Sequence, residues 1–282
     1  MSQRVLIIGS DGQLGGALAD VFRAGGDEVI LPPRTELDIE NADTIEKIVV
    51  QRPDVVINTA WFPVVDCEKD PTRAYHVNAL GAYHVAKGAM KVGAVVVYIS
   101  TDYVFDGSKE EGFVEDDHPH PLNVYGASKH AGEELTAVAN PRCYIVRTSS
   151  LFGFHAKPLG NFVLKMKARA EREERTKVVN DQITCPTFAE DLAPVIREII
   201  ERGIPFGVYH VTNSGSATWH ELTKEIFEKA GKPSLLEASM TVSEPEEIVR
   251  PKWSILQNRK LTTLGFPPLP HWKDALRRYL KT

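Results

Sequence analysis

The chain has 282 residues and a formal net charge of −5 at pH 7, so it can bury one large core or two unequal ones. A negative net charge without a clustered basic run argues against a nucleic-acid partner. The three cysteines and the scattered histidines show no metal-binding spacing, so we expect free thiols, a cytoplasmic location and no metal. The first strand begins near residue 4 and no apolar run spans a membrane, so neither a leader peptide nor a membrane contact is expected.

Short apolar β-branched runs alternate with segments of helical periodicity along the chain. This alternation predicts an α/β fold, with a doubly wound parallel sheet covered by helices on both faces. The predicted strands are 4–9, 28–32, 54–60, 95–101, 144–149, 177–180 and 207–212. The predicted helices are 15–25, 41–52, 71–92, 124–139, 161–174, 189–202, 219–230 and 271–281. The proline-bearing stretches 155–160, 183–188 and 233–270 are poor candidates for sheet.

A glycine loop, Gly9 to Gly15, follows the apolar run Val5–Ile8 and leads into a helical pattern. Strand, tight turn and helix form the context in which such a loop binds a dinucleotide, because the helix N-terminus offers unpaired N–H groups to the pyrophosphate. The alternative is a simple turn between a strand and a helix. With the loop, the sequence predicts a Rossmann-type domain over 1–150, its sheet completed by parts of 177–212, and a smaller, mainly substrate-binding lobe over 151–282.

A second pattern, Tyr125 followed by Lys129, opens the helix predicted at 124–139. The i, i+4 spacing places both side chains on one helix face. A nearby ammonium, together with a cationic nicotinamide, lowers the pKa of a phenol toward the working range, so Tyr125 could protonate a carbonyl oxygen. Lys129 should also reach the nicotinamide ribose, and Thr101, at a strand end, could donate to the same carbonyl. The alternative is an ordinary amphipathic helix start.

These motifs resemble those of the extended short-chain dehydrogenase/reductases and, within them, the dTDP-4-dehydrorhamnose reductase family. The resemblance extends over nearly the whole chain. It rests on Gly9–Gly15, Asn58–Ala60, Tyr98–Phe105, Tyr125–Lys129, Arg147–Ser149, Gly160–Phe162, Val178–Gln182, Pro186–Thr187, Asp191–Ala193, Gly207–His210, Thr218–His220 and Arg250–Pro251.

The resemblance implies a nicotinamide-dependent 4-ketoreductase of a nucleotide-activated deoxysugar, acting on dTDP-4-dehydro-L-rhamnose. Its catalytic residues are Thr101, Tyr125 and Lys129. Related dehydratases carry an acidic pair after the threonine, whereas Tyr103 follows Asp102 here, which favours simple ketone reduction. The implied cofactor contacts are Gly9, Asp11, Gly12, Gln13, Leu14, Gly15, Arg34, Asp38, Ile39, Thr59, Ala60, Trp61, Tyr125 and Lys129. The implied substrate contacts are Thr101, Asp102, Val104, Phe105, Ser150, Asn161 and Arg250.

Cofactor choice depends on the end of the second predicted strand. Arg34 there could pair with a 2′-phosphate and so favours NADPH, with NADH as the alternative cofactor. Arg34 could equally be an exposed loop arginine. Asp38, with Ile39, resembles an adenine-contacting pair, but it could instead cap a helix starting near Asn41. Asn78, in a helix interior, matches an asparagine that shapes the site.

Two departures from the family pattern concern the substrate. Ser150 stands where a tryptophan commonly walls the sugar, and Trp61 is bulkier than the usual residue. Trp61 could pack near the cofactor or be a half-buried core aromatic. Polar residues of the lobe are further candidates for sugar or diphosphate binding, with Arg250 the best because a guanidinium suits a phosphate; the others are Asn161, Gln182, His210 and Asn213.

Two other functions remain open from the sequence. One is reduction of a different nucleotide sugar. The other is a non-catalytic regulator of the same fold, resembling the regulatory subunit of methionine adenosyltransferase. By analogy with this fold, the helices at 71–92 and 124–139 could pair in a homodimer.

Overall fold

The computed structural model describes residues 2–157, 160–242 and 248–281. Within them the strands are β1 (Arg4–Ile8), β2 (Glu28–Ile30), β3 (Val55–Asn58), β4 (Val95–Thr101), β5 (Cys143–Thr148), β6 (Leu151–Phe152), β7 (Thr176–Val179), β8 (Ile183–Thr184), β9 (Thr187–Phe188), β10 (Gly207–His210), β11 (Ala217–Thr218), β12 (Leu236–Ser239) and β13 (Trp253–Ser254). The helices are α1 (Gln13–Ala24), α2 (Thr44–Gln51), α3 (Val64–Lys69), α4 (Pro71–Tyr75), α5 (Gly81–Lys91), α6 (Val124–Ala139), α7 (Phe162–Glu171), α8 (Ala189–Arg202), α9 (Trp219–Lys229), α10 (Arg259–Thr263) and α11 (Trp272–Tyr279).

The central sheet has six strands in the order β10-β5-β4-β3-β1-β2. Every pair of neighbours in it is parallel, which confirms the predicted doubly wound α/β fold. The chain runs outward from β1 to β2 on one side and from β3 to β5 on the other. In such sheets the crevice for a ligand lies beyond the carboxyl ends of the strands where the direction reverses, here β1 and β3.

Alternate residues of the inner strands enter two separate cores. Val5 and Ile7 belong to the core on the α1 and α8 side, whereas Leu6 and Ile8 belong to the core on the α2 and α5 side. All four side chains are at most 4% exposed, so both faces of the sheet are covered. This double burial explains why the strands appear in the sequence as continuous apolar runs rather than as alternating patterns.

The helix predicted over 71–92 is interrupted in the structure. It consists of α4, a π-helical turn at His76–Leu80, and α5. The π turn carries Asn78, which is fully buried. Because a π turn inserts one residue into an otherwise continuous helix, 3.6-residue periodicity did not reveal it.

The C-terminal part of the chain contains three small sheets, in the orders β11-β8-β13, β12-β7 and β6-β9. The strand predicted at 177–180 therefore pairs with β12 and lies outside the main sheet. The stretches 183–188 and 233–270, expected to be poor candidates for sheet, contain the short strands β8, β9, β12 and β13. These strands are two to four residues long. No helix among the described residues is long and apolar enough to cross a membrane.

Candidate active site

The glycine loop joins β1 to α1 and packs closely against the start of the loop that follows β3. Gly9 has φ +83°, and a Cβ on it would lie 2.6 Å from Thr59 Oγ1. A Cβ on Gly15 would lie 2.3 Å from the Gly9 carbonyl oxygen, so this glycine lets α1 pack onto the loop. A larger residue at position 15 would push α1 away from the loop, and one at position 9 would collide with Thr59 and Ala60.

The N-terminus of α1 faces an open space suited to an anion. Gly12 is the N-cap residue, and no side chain caps the helix there. A Cβ on Gly12 would meet only the Gly9 carbonyl oxygen, at 3.3 Å, and would otherwise project into open space. Uncapped N–H groups, the helix dipole and this absence of steric obstruction together fit the pyrophosphate of a dinucleotide.

A cleft of about 570 Å³ extends from this loop along the carboxyl ends of β1 and β3. It is lined by Ile8, Gly9, Ser10, Asp11, Gly12, Gln13, Pro32, Pro33, Arg34, Leu37, Asp38, Ile39, Thr59, Ala60, Trp61, Pro63, Val77, Ala156, Lys157 and Gly160. Most of the expected cofactor contacts are in this set. Four are not: Leu14, which is buried in the core on the α1 side, Gly15, Tyr125 and Lys129.

At the far end of the cleft, Arg34 is held by two carboxylates. Its guanidinium donates to Asp38 Oδ2 at 3.2 Å and to Glu40 Oε1. Asp38 does not cap α2, which begins at Thr44 rather than near Asn41. Instead Asp38 Oδ1 accepts from the Glu40 N–H at 3.1 Å, which fixes the turn after β2.

Tyr125 lies in the first turn of α6, half-buried between two other aromatic rings. Trp61 and Tyr103 approach it edge-on, with ring centroids 6.2 and 5.9 Å from that of Tyr125. Asn123 caps the helix by accepting from the Gly126 N–H at 2.8 Å. Burial raises the pKa of the Tyr125 phenol, and a hydrogen bond with Thr101 acts in the opposite direction.

Lys129 lies one turn further along α6 and is only 2% exposed. Its Nζ donates to the Ile99 carbonyl oxygen at 2.6 Å and stands 4.0 Å from the ring centroid of Tyr98. Burial lowers the pKa of Lys129 to about 7, while the Glu133 carboxylate acts to raise it. From the sequence, the charge of Lys129 was expected to lower the pKa of Tyr125. In the structure, burial is the largest influence on both groups, and it acts against both charged forms.

Thr101 ends β4 and presents its hydroxyl beside Tyr125. Thr101 Oγ1 donates to Asp102 Oδ1 at 3.0 Å and accepts from the Tyr103 N–H at 3.2 Å. Asp102 is 3% exposed and also accepts from Ser149 Oγ at 2.8 Å. Burial raises the pKa of Asp102, and hydrogen bonds from serine and threonine hydroxyls oppose that rise. Asp102 is therefore a buried support for Thr101.

The residues after Asp102 differ from the expectation that they lie beside the sugar. Val104 and Phe105 are fully buried and form a small core with Phe113 and Leu256. Phe105 stacks on Phe113 with ring centroids 4.2 Å apart. The 3-10 turn at Asp102–Val104 connects β4 to this core.

The whole chain matches a known family and known structures. The family model described as RmlD substrate binding domain matches residues 3–282. The chain belongs to this family. It is 37% identical over 280 residues to "Spore coat polysaccharide biosynthesis protein SpsK" of Bacillus subtilis, covering 99% of this chain and 97% of that protein. It is 36% identical to a dTDP-4-dehydrorhamnose reductase of Streptomyces griseus, covering 97% and 91%. A Bacillus anthracis dTDP-4-dehydrorhamnose reductase, solved with NADP, superposes with TM-score 0.92 at 38% identity, covering all of both chains.

In this RmlD family member, two of the expected substrate residues have specific local roles. Ser150 has a left-handed backbone, φ 45°, and its Oγ lies 2.5 Å from Thr184 Oγ1. Asn161 caps α7 through Leu164 and donates to Gln13 Oε1 at 3.2 Å, so its amide joins the lobe to the glycine loop.

Arg250 is exposed and donates to the Tyr103 hydroxyl at 3.0 Å. Because Tyr103 packs on Tyr125, this contact brings a cation next to the candidate catalytic residues. Arg250 is thus the lobe residue best positioned for a phosphate group.

Other polar candidates from the sequence are structural. His210 is fully buried, and burial lowers its pKa to about 3, so it stays neutral. Asn213 is 1% exposed and bonds to Phe188, Asp191 and Pro270. Gln182 donates to Thr241 Oγ1 at 2.9 Å.

Asn78 stabilises the site through hydrogen bonds to two of the segments that form it. Its Oδ1 accepts from the Phe62 N–H at 2.9 Å, and its Nδ2 donates to Ser128 Oγ at 2.9 Å. Tyr98 donates its hydroxyl to the Asn78 carbonyl oxygen at 2.8 Å. This asparagine therefore connects the loop that carries Trp61 to the helix that carries Tyr125 and Lys129.

Sequence reasoning missed one group at the site. Lys157 gave no signal, since it lies in a loop and reaches the cleft only through the fold. Among residues 2–157, 160–242 and 248–281, no group of three potential metal ligands comes together.

Proposed function

We propose that this protein reduces the C4 ketone of a nucleotide-activated deoxysugar, converting dTDP-4-dehydro-L-rhamnose to dTDP-L-rhamnose with a nicotinamide dinucleotide. One observation carries the proposal. Tyr125 is hydrogen-bonded to Thr101 at the carboxyl end of β4, and Lys129 donates to the Ile99 carbonyl oxygen of the same strand. Trp61, which packs on Tyr125, lines the cleft whose glycine loop suits a pyrophosphate. The names of the relatives described above support the same reaction.

Each residue of this group has a separate role in the proposed reaction. Bound NADPH or NADH supplies the hydride. Tyr125 gives its phenolic proton to the ketone oxygen, and Thr101 orients that oxygen by a hydrogen bond once its hydroxyl proton turns from Asp102 Oδ1 to the substrate. Lys129 holds the ribose hydroxyls and places a positive charge near the phenol. Asp102 is bound to Thr101 and Ser149, so no acidic pair is available to move a proton at a neighbouring carbon.

The cofactor is proposed to be NADPH by preference, with NADH also accepted. Arg34 supports NADPH because it lines the cleft at the end of β2, where the adenosine ribose lies in this type of fold. Arg34 is also bonded to Asp38 and Glu40, so a 2′-phosphate must compete with two carboxylates. This competition moderates the preference and leaves room for NADH.

Reduction of a different nucleotide sugar is the second candidate, and Ser150 supports it. The family commonly places a tryptophan there, and a serine leaves more room beside the sugar. The reductase reading is favoured over a non-catalytic regulator because the relatives carry reductase names.

Three further features belong to the proposal. Residues 1–150, with β10, form the dinucleotide-binding unit, and 151–282 form mainly the substrate lobe. The protein works in the cytoplasm, consistent with three free, buried cysteines. It forms a homodimer through the faces of α4 to α6, where Tyr75, Leu80 and Val138 are exposed.

Consumption of NADPH, and separately of NADH, tests the proposal. The purified protein is given enzymatically generated dTDP-4-dehydro-L-rhamnose, and the product is identified by mass and NMR. Formation of dTDP-L-rhamnose supports the assignment and ranks the cofactors. Dinucleotide binding without turnover of this sugar, but with turnover in a panel of other 4-keto nucleotide sugars, would support the second candidate.

A further inference from the structure

A lysine from the C-terminal part of the chain reaches the glycine loop. Lys157 follows β6, and its Nζ lies 2.8 Å from Asp11 Oδ2. Both residues line the cleft, as does Arg34. Asp11 and Lys157 are 146 positions apart in sequence, so this contact forms only when the segment after β6 packs against the glycine loop. Gln13 contributes a second contact of this kind, donating to the Leu151 carbonyl oxygen at 2.9 Å.

Asp11 lies in the field of two cations. A hydrogen bond from Lys157 and then its charge hold the pKa of Asp11 below its usual value, and Arg34 adds a smaller effect in the same direction. Asp11 is therefore ionised at neutral pH. Asp11 and these two cations line the same cleft, and cations that attract a carboxylate there could also attract a phosphate.

The Lys157–Asp11 pair itself adds little stability. The side chains are 70% and 76% exposed, and ion pairs this exposed are weak. Lys157 can therefore exchange its partner at small cost. Arg34 is bound by Asp38 and Glu40, so of the two cations Lys157 is the one with fewer competing carboxylates.

We propose that Lys157 binds the 2′-phosphate of NADPH together with Arg34, and that it neutralises Asp11, which would otherwise repel that phosphate. The C-terminal part of the chain then takes part in cofactor selection. An ammonium is a compact point charge that suits a phosphate oxygen. The inference rests on the proposed use of a nicotinamide dinucleotide.

Direct binding measurements test this role without the reaction. Titration calorimetry of the full chain compares NADPH with NADH, and adenosine 2′,5′-bisphosphate with AMP. Lys157→Met should raise the dissociation constants of NADPH and of the bisphosphate about tenfold. The constants for NADH and AMP should stay nearly unchanged. Asp11→Asn should tighten NADPH binding and leave NADH binding nearly unchanged.

Lys165→Met is the matched control, because Lys165 is exposed on α7 and does not line the cleft. It should alter none of the four constants. Equal weakening of NADPH and NADH by Lys157→Met would place the lysine at the pyrophosphate and overturn the 2′-phosphate assignment.

If the wild-type protein binds NADPH and Lys157→Met binds it equally well, the inference about Lys157 is overturned and the proposed function is not affected. A wild-type protein that binds neither dinucleotide would overturn the proposed function and this inference with it. Because Lys157 is exposed, the variant should melt at nearly the wild-type temperature, which circular dichroism checks.

Discussion

At the scale of single residues, the least ordinary group is the buried lysine of α6. Lys129 has a pKa near 7 in the folded protein, against 10.5 for an unperturbed lysine. The unfolded chain therefore binds more protons than the folded one between about pH 7 and 10.5. Through this window Lys129 alone makes the folded state more stable as pH rises. The site thus retains a residue that weakens the fold at neutral pH.

The charge of Lys129 depends on the groups that face it. These are Glu133 on its own helix, Tyr98 and the Ile99 carbonyl on β4, and Cys67 on α3. Glu133 is 3% exposed and is bound to Arg147 by two hydrogen bonds, of 2.8 and 2.6 Å. Burial acts against its ionisation, but the hydrogen bonds from Arg147, His130 and Ser100 and the charge of Arg147 together outweigh it, and the pKa of Glu133 falls to about 2.

We therefore predict that Glu133→Gln moves the alkaline limb of the kcat profile to lower pH. Without the carboxylate, Lys129 loses its proton more readily, and activity that needs the ammonium falls earlier as pH rises. The measurement is kcat against pH from 6 to 9 under saturating substrates. Glu134→Gln, one residue further and exposed, is the control and should keep the wild-type profile. A profile of Glu133→Gln that superposes on wild type would remove Glu133 from this role.

Tyr125→Phe should separate binding from chemistry. The ring that packs between Trp61 and Tyr103 is kept, so dinucleotide binding changes little. Loss of the proton donor should lower kcat about 100- to 10,000-fold. Titration calorimetry and NADPH consumption measure the two effects. Tyr75→Phe, on the exposed side of α4, is the control for removal of a hydroxyl. Comparable activity in Tyr125→Phe would show that another group supplies the proton.

Arg34→Ala should weaken NADPH binding about tenfold and NADH binding little. The variant loses a guanidinium and also leaves Asp38 and Glu40 facing the phosphate. Arg73→Ala is a matched control, because Arg73 also donates to Glu40, at 3.2 Å, but does not line the cleft. The measurement is the dissociation constant of each dinucleotide for wild type, Arg34→Ala and Arg73→Ala. Equal weakening of the two would make Arg34 a general support of the loop.

At the scale of elements, α6 is positioned by one close approach. A Cβ on Gly126 would lie 2.1 Å from the Tyr103 carbonyl oxygen, which belongs to the turn that follows β4. The helix carrying Tyr125 and the turn carrying Asp102 can meet only because residue 126 has no side chain. Thr101 and Tyr125 are brought together by this contact.

Gly126→Ala should therefore move α6 away from β4. We expect a loss of stability of about 1–3 kcal/mol, as in other overpacked sites, and a fall in kcat larger than the change in dinucleotide affinity. Thermal melting, kcat and calorimetry measure these. Ala131→Gly on the same helix is the control, and should cost about 1 kcal/mol through helix propensity without a specific loss of kcat. A Gly126→Ala variant with normal kcat would contradict the positioning argument.

The elements also show what local sequence could predict. The prediction of α6 at 124–139 agrees with Val124–Ala139, because an N-cap asparagine and regular periodicity mark its ends. The short strands β8, β9 and β13 were missed, because two-residue strands have no periodicity and pair with distant segments. At the site, the glycine loop and the Tyr125 pattern are local and could be predicted. Lys157 reaches the cleft only through long-range packing, and Arg250 was predicted only through the family resemblance.

At the scale of the whole molecule, the reactivity of the three buried cysteines shows whether the chain is folded. Cys67, Cys143 and Cys185 are at most 4% exposed, and burial raises the pKa of each thiol to about 11. The native protein should therefore react very slowly with iodoacetamide at pH 8, whereas the unfolded chain should label at all three thiols.

Mass spectrometry across a urea titration gives this measurement. Labelling of the three thiols should rise together with the loss of the circular dichroism signal if the sheet and the C-terminal lobe unfold as one unit. Early labelling of Cys185 alone, before Cys67 and Cys143, would instead indicate that the lobe opens first.

The order of strands in the central sheet also bears on synthesis at the ribosome. β10 pairs with β5 but follows it by almost sixty residues, and α8, which covers the same face as α1, lies between them. A nascent chain that has just completed β5 has an open sheet edge and an uncovered apolar face until α8 and β10 emerge. During that interval the growing polypeptide is most prone to aggregate, and a chaperone that binds extended apolar segments would have its best opportunity to engage it.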